Sequence, residues 1–265
     1  MSTIFTEGGE TPSVYPVSKE IHHPYGKNGV RYRMEIVRGG GGYTLVELRD
    51  RAFDTYRQVH VLNPIQTYRE ITSIIKGDGS LFFFSVEDGS NIVDIGLVAQ
   101  RVIMAEVDGN RYKALYMSTK AILPDHQNKG LGTYSFEQAR TIHRPRFMVG
   151  RSQNPYLFLA LEGVEEVRGK VTPIDDDYVK GSLKYDVMKY VGERTGNPRL
   201  EDNGATKSAY PEGRSRAFVI DETDDRVMRI MCRFKELKVN IDNGDGVVYS
   251  VDFEPWLNNT PSTVI

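Results

Sequence analysis

The segment Ile122-Leu123-Pro124-Asp125-His126-Gln127-Asn128-Lys129-Gly130-Leu131-Gly132-Thr133 holds the residue types and spacing in this 265-residue sequence best suited to chemistry. An apolar run ends at a proline, a Gln-x-x-Gly-x-Gly loop follows, and a helical pattern then begins. Glycines let the backbone approach a bound group closely, and successive amide N–H groups can point into one concavity. The N-terminus of the helix adds free donors and a partial positive charge. Such a loop suits a pyrophosphate, and Lys129 can reach an outer phosphate. The plainer reading of Gly130 and Gly132 is an ordinary strand-to-helix turn.

Other chemistries have less behind them. The five histidines, His22, His23, His60, His126 and His143, show no metal-ligand spacing with one another or with cysteine, so no metal site is expected. His126 reads as a solvent-facing loop residue. There is no Gly-x-Ser-x-Gly elbow for a serine hydrolase. Asp175-Asp176-Asp177 reads as a solvated loop rather than a cation site. His143-Arg144-Pro145-Arg146 reads as favourable charge at a helix C-terminus, with a phosphate or RNA contact as the sharper alternative. The run Gly39–Gly42 lacks a following Gly-Lys-Ser/Thr and reads as a flexible loop.

The elements that must position the loop follow from periodicity. Strand-like pieces are expected at Val30–Val37 and Tyr43–Leu48, on either side of the glycines. Helices are expected at Ala52–Leu62 (Phe53, Tyr56 and His60 on one face) and Thr67–Ile75 (Tyr68, Ile71, Ile74 and Ile75). An antiparallel meander follows at Leu81–Val86, Ile92–Val107 and Tyr112–Leu123, with Asp108-Gly109 as a hairpin turn and Gly96 as a bulge. A helix at Thr133–His143, a strand at Phe147–Gly150 and an apolar helix at Tyr156–Leu161 come next. A helix carrying Leu183, Val187, Tyr190 and Val191 lies within a more polar stretch. Strands at Val227–Val239 and Val247–Phe253, joined by a tight turn at Asn243-Gly244-Asp245-Gly246, close the chain.

The loop, the Leu-Pro-Asp before it and this order of elements resemble the GNAT (N-acetyltransferase) superfamily over roughly half the chain. The resemblance implies a mixed α/β fold with a mostly antiparallel sheet flanked by helices. Around a core at 30–162 the sequence adds an N-terminal arm (1–29), a polar insertion (163–213) and C-terminal strands (214–265) that would complete the sheet; the arm and the insertion have no counterpart in the family. The resemblance implies acetyl-CoA or another acyl-CoA as cofactor. The pyrophosphate would be held by the backbone of Gln127, Asn128, Lys129, Gly130, Leu131, Gly132 and Thr133. The pantetheine would pair with the strand edge at Ala121, Ile122 and Leu123, in a gap where the sheet splays, and Asn154 would face it from the other side. The implied reaction is acyl transfer to an amine, which needs a base and a donor for the leaving thiolate.

The catalytic groups depart from the family pattern. Where a tyrosine is often found in the helix after Asn154, this chain has Leu161 and Glu162, and Tyr156 comes early. Ser118 and Thr119 can relay a proton, while Glu106 and Glu87 are base candidates by position. Glu106, Ser118 and Tyr156 are therefore the catalytic candidates. The alternative is a GNAT-shaped binding or scaffold module without catalysis.

Composition narrows the class. Lys+Arg 34 against Asp+Glu 36 gives a charge of −2, so no nucleic-acid partner is expected. Hydrophobic residues at 39% can fill a core. A lone cysteine, Cys232, expected as a small core residue, excludes a disulfide within the chain and favours a reducing compartment. With no membrane-length apolar run and no secretory pattern, the expectation is a cytoplasmic protein acting on a small-molecule or protein amine, with no membrane partner and a homodimer left open.

Overall fold

The computed structural model describes residues 18–24, 30–39, 42–58, 64–88, 91–165, 167, 170–195, 200–210 and 218–253. The chain forms a mixed α/β fold. Among the described residues, eight strands make one sheet in the order β1-β2-β3-β4-β5-β6-β8-β7. The strands are β1 (Ser18–His22), β2 (Arg33–Arg38), β3 (Gly79–Asp88), β4 (Asn91–Val107), β5 (Asn110–Ile122), β6 (Phe147–Ser152), β7 (Ala205–Thr206) and β8 (Gly246–Asp252). Every neighbouring pair is antiparallel except β5 and β6. The helices are α1 (Leu45–Arg57), α2 (Pro64–Lys76), α3 (Leu131–His143), α4 (Pro155–Glu162), α5 (Leu183–Arg194) and α6 (Asp225–Glu236).

Both faces of the sheet are covered, which is why its central strands read as nearly continuous apolar runs. On the first face, Phe82, Phe84, Met117, Met148 and Tyr249 pack against Leu131 and Phe136 of α3, Phe158 of α4 and Phe234 of α6. On the second face, Leu81, Phe83 and Leu97 meet Leu48, Ala52, Ile71 and Ile74 of α1 and α2. Tyr116, Val149 and Val248 meet Tyr185, Met188 and Val191 of α5. An ion network centred on buried Glu35 braces the α1 edge: Arg51 reaches Glu35 at 3.0 Å and Asp94 at 2.6 Å, and Lys19 reaches Glu35 at 2.9 Å.

Several elements differ from expectation, each for a local reason. Tyr43–Leu48 is not a strand. Thr44 caps α1, its side chain accepting from the Glu47 N–H while the Glu47 carboxylate accepts from the Thr44 N–H at 2.7 Å. This reciprocal capping box starts the helix at Leu45. Val227–Val239 is not a strand either: Val227, Ile230 and Phe234 are buried at helical spacing, and the Asp224 side chain accepts from the Arg226 N–H. The expected hairpin turn at Asn243–Gly246 is instead a 3-10 turn at Ile241–Asn243 joining α6 to β8. Cys232 sits on the exposed side of α6, not in the core. Within the expected insertion, α5 covers the second face and β7 pairs with β8, so that stretch is built into the sheet. Of the expected arm, β1 extends the sheet beyond β2, and residues 1–17 and 25–29 lie outside the described residues, as does His60. The bulge expected at Gly96 falls beside it: Phe84 pairs with Gly96 and Ser85 with Asp94, leaving Ile95 extra.

Candidate functional site

The sheet opens between its two parallel strands. The β5–β6 ladder runs from Ala114 opposite Phe147 to Met117 opposite Gly150 and stops, although β5 continues to Ile122 and β6 to Ser152. The parting coincides with a bulge. Ala99 of β4 pairs with Thr119 and Gln100 with Met117, so Ser118 is the extra residue on β5. A bulge bends its strand and aims a side chain anew. From Ser118 onward the edge of β5 that faces β6 has no partner strand among the described residues.

Both helices that follow these strands begin at the open end. After β5, a 3-10 turn at Pro124–His126 leads into the loop. Asn128 (φ 58°) and Gly130 (φ 89°) take left-handed conformations that turn the chain into α3. The first helical bond is Tyr134 N–H to the Gly130 carbonyl, so the N–H groups of Leu131, Gly132 and Thr133 have no acceptor within the helix. The Gln127 side chain donates to the Ile122 carbonyl at 2.7 Å, and Thr133 Oγ1 donates to the Ala160 carbonyl at 3.0 Å, binding α3 to α4. Leu131 is anchored in the core. After β6, Asn154 caps α4, its Oδ1 accepting from the Tyr156 N–H at 2.9 Å.

Two buried polar groups face the first side of this opening without hydrogen-bond partners among the described residues. Lys120 Nζ is one. It stands over the Phe136 ring, 4.0 Å from its centre, and 2.6 Å from where a Cβ on Gly132 would lie. Burial alone brings its ammonium down to about 7. An unpaired buried ammonium is costly, and its natural complement is an anion beside the first turn of α3. The second group is Tyr249 Oη. Gly150, the last residue of β6 paired with β5, has no side chain, and the Tyr249 hydroxyl lies 2.5 Å from where its Cβ would be. Burial raises this phenol well above its ordinary range, so it stays protonated as a donor.

The second side carries a carboxylate. Glu70 of α2 accepts a hydrogen bond from the hydroxyl of the bulge residue Ser118. Burial raises its carboxyl, against the opposing pull of Arg101 and Arg151. The Tyr56 hydroxyl of α1 hydrogen-bonds Thr119. Arg151, the first residue of β6 beyond the ladder, lies under the Tyr210 ring at 5.0 Å, and Tyr210 donates to its carbonyl at 3.3 Å. A buried carboxyl with a raised pKa, hydrogen-bonded to a hydroxyl at the opening of a sheet, is suited to accept a proton.

Of the sequence candidates, the structure brings Ser118, the Gln127–Thr133 loop and Asn154 to one opening. It does not bring Glu106 there. That residue is exposed at the far end of β4, 3.9 Å from Arg111. Glu87 is likewise exposed. Tyr156 is turned away: its hydroxyl donates to the Val219 carbonyl and accepts from the Asp221 N–H, both at 3.0 Å. Sequence reasoning missed Glu70, Lys120 and Tyr249. Glu70 stands four residues before the core residue Ile74, on the helix's inward stripe, and that was a readable signal. Tyr249 and Lys120 offered none, because each reads as a routine strand residue.

Among the described residues no group of three His, Cys, Asp or Glu side chains could hold a metal ion, and no helix is long and apolar enough to cross a membrane. No family model matches the chain, and no curated protein matches it in sequence. Solved structures similar in shape comprise 21 chains, among them the following two. One is a probable N-acyltransferase, a conserved protein of unknown function from Enterococcus faecalis V583, with 10% identity and a TM-score of 0.31, over 44% of this chain and 28% of that one. The other is the putative arylalkylamine N-acetyltransferase 7 of the yellow fever mosquito Aedes aegypti, with 10% identity and a TM-score of 0.42, over 92% of this chain and 99% of that one.

Proposed function

We propose that this protein is an acyl-CoA-dependent N-acyltransferase with a GNAT-type site at the opening between β5 and β6. One observation carries the reading: the parallel ladder ends at the Ser118 bulge, with the first turn of α3 and the unpaired Lys120 ammonium on one side and buried Glu70 on the other. The residues fit the cofactor. The amides of Leu131, Gly132 and Thr133, together with Lys120, would hold its pyrophosphate, and the free edge of β5 past Ser118 would take its pantetheine.

When bound, acyl-CoA supplies an acyl group activated as a thioester. The chain's own residues then divide the work across the sheet. Glu70, through the Ser118 hydroxyl, takes the proton from the acceptor amine, whose neutral form is the nucleophile. Tyr249 Oη, fixed over Gly150 and kept protonated, donates a hydrogen bond where negative charge builds up. The apolar packing of α3 and α4 around Phe136 and Phe158 excludes water from this side.

Calorimetric titration with acetyl-CoA, coenzyme A and dephospho-coenzyme A tests the cofactor assignment. Micromolar binding supports it. Absence of binding at millimolar concentration overturns it in favour of a scaffold without the cofactor. Thiol release from acetyl-CoA in the presence of amines then tests the transfer itself.

A further inference from the structure

Two side-chain hydroxyls of β5, Ser118 and Thr119, come directly after the last residue of the β5–β6 ladder, and they are held differently. Thr119 is hydrogen-bonded to the Tyr56 phenol, which burial pushes well above its ordinary range and so keeps protonated. That phenol offers Thr119 no base. Ser118 instead donates to the Glu70 carboxylate. Ser118 is also the extra residue of the bulge, at the point where the parallel ladder stops. The carboxylate is fixed in place by α2, whose Ile71 and Ile74, beside Glu70 and one turn on, are buried against the sheet. Burial raises the Glu70 carboxyl and with it the basicity of the carboxylate, while Arg101 and Arg151 favour the ionised form.

A serine hydroxyl is a weak nucleophile by itself and a strong one beside a base that takes its proton. Ser118 and Glu70 are the two parts of such a pair, already in hydrogen-bond contact, and the bulge sets the hydroxyl at the opening rather than within a ladder. Resting on the acyl-transfer reading, we propose that Ser118 is the nucleophile of a two-step transfer, taking the acyl group from coenzyme A as an ester before the amine receives it, with Glu70 as its base. The hydroxyl that would relay the proton in a direct transfer is then itself the first acceptor. In the first step Ser118 Oγ forms a bond to the acyl carbon as the carbon–sulfur bond breaks. The hydroxyl proton moves to Glu70 and from there to the departing thiolate, so coenzyme A leaves as the thiol. In the second step the neutral amine forms a bond to the acyl carbon as the ester carbon–oxygen bond breaks. The amine proton moves to Glu70 and on to Ser118 Oγ, which restores the hydroxyl. Both steps pass through a tetrahedral oxyanion, for which Tyr249 Oη is the protonated donor on the other side of the opening. Nothing beyond acyl-CoA and the amine is consumed.

The test needs no acceptor. The full chain is incubated with acetyl-CoA and isotopically labelled coenzyme A, and entry of label into acetyl-CoA is followed. Protein-bound acetyl is then located by mass spectrometry after an acid quench. Exchange is expected without any amine, at least as fast as turnover with one, and any trapped acetyl is expected on Ser118. Ser118→Ala should slow exchange by about a hundredfold or more. Ser118→Cys should keep exchange and carry the acetyl group as a thioester. If Ser118→Ala does not fold, exchange by the parent and the adduct on Ser118→Cys still decide. Turnover of amines without exchange would overturn the acyl-serine in favour of direct transfer, while leaving acyl transfer standing. Acetyl found on another residue, or exchange undiminished in Ser118→Ala, would overturn it as well. Binding of acetyl-CoA with neither exchange nor turnover would do the same. Failure to bind acetyl-CoA would overturn the reading beneath it.

Discussion

Replacing Lys120 with methionine should make the protein without ligand more stable, and by an amount that depends on pH in a defined direction. The ammonium is buried without a hydrogen bond, and its pKa falls from 10.5 to about 7. At 1.36 kcal/mol per pH unit, that difference amounts to about 5 kcal/mol against the folded state when the lysine is charged. Below pH 7 both folded and unfolded chains carry the proton, and the whole penalty applies. Between pH 7 and 10.5 the unfolded chain binds a proton that the folded chain does not, so this group makes stability rise with pH across that window. Methionine fills similar space but loses the contact with the Phe136 ring, about 2 kcal/mol when desolvated. The net gain at pH 6 is therefore about 3 kcal/mol, shrinking towards zero or below near pH 10. Urea unfolding of both proteins at pH 6, 8 and 10 measures this, and all other titrations cancel in the difference. A difference that does not change with pH, or a variant less stable than the parent at pH 6, would refute the reasoning. The same variant should bind coenzyme A at least tenfold more weakly. Binding to the parent at pH 8 should take up a proton, visible as a dependence of calorimetric enthalpy on the buffer.

Glu70→Gln should lower kcat by about a hundredfold or more and remove the acid limb of the kcat/KM profile, which in the parent lies above the ordinary glutamate range because burial raises the carboxyl. Gly132→Ala places a Cβ 2.6 Å from Lys120 Nζ and 3.1 Å from the Ala160 Cβ, and should cost about 1–3 kcal/mol in urea unfolding together with coenzyme A affinity. Glu35→Gln should cost about 1–3 kcal/mol at pH 7 by weakening the hydrogen bonds that Tyr43, Lys19 and Arg51 make to a buried carboxylate, while Arg51 keeps Asp94. Burial pushes the Glu35 carboxyl up, but hydrogen bonds from Tyr43, Lys19 and Arg51 outweigh it and hold it low. Its contribution is therefore complete above pH 4.5 and disappears as pH falls further, so parent and variant should converge in acid. Equal loss for Glu35→Gln at pH 3 and pH 7 would exclude that account.

Local chemistry made much of the fold readable. The meander over β3, β4 and β5 and the Gln127–Thr133 turn into α3 depend on periodicity, turn residues and glycine conformations, all properties of neighbours in sequence. So does α6: Val227, Ile230 and Phe234 recur at helical spacing, although β-branched and aromatic side chains by themselves favour a strand. The Thr44–Glu47 box is equally a property of neighbours in sequence.

The sequence by itself thus determined the β3–β5 meander and the glycine turn into α3, but not the start of α1 or the helix α6. What only the tertiary structure decided is which side chains meet at the opening. A raised carboxyl on α2 reaching Ser118, Lys120 stripped of water beneath α3, and Tyr249 lying over Gly150 all join residues far apart in the chain. Their properties come from desolvation and from a ladder that stops at Met117. Solvation and strand pairing belong to the packed molecule, not to any window of sequence, and for that reason the working groups of the site emerge only on folding.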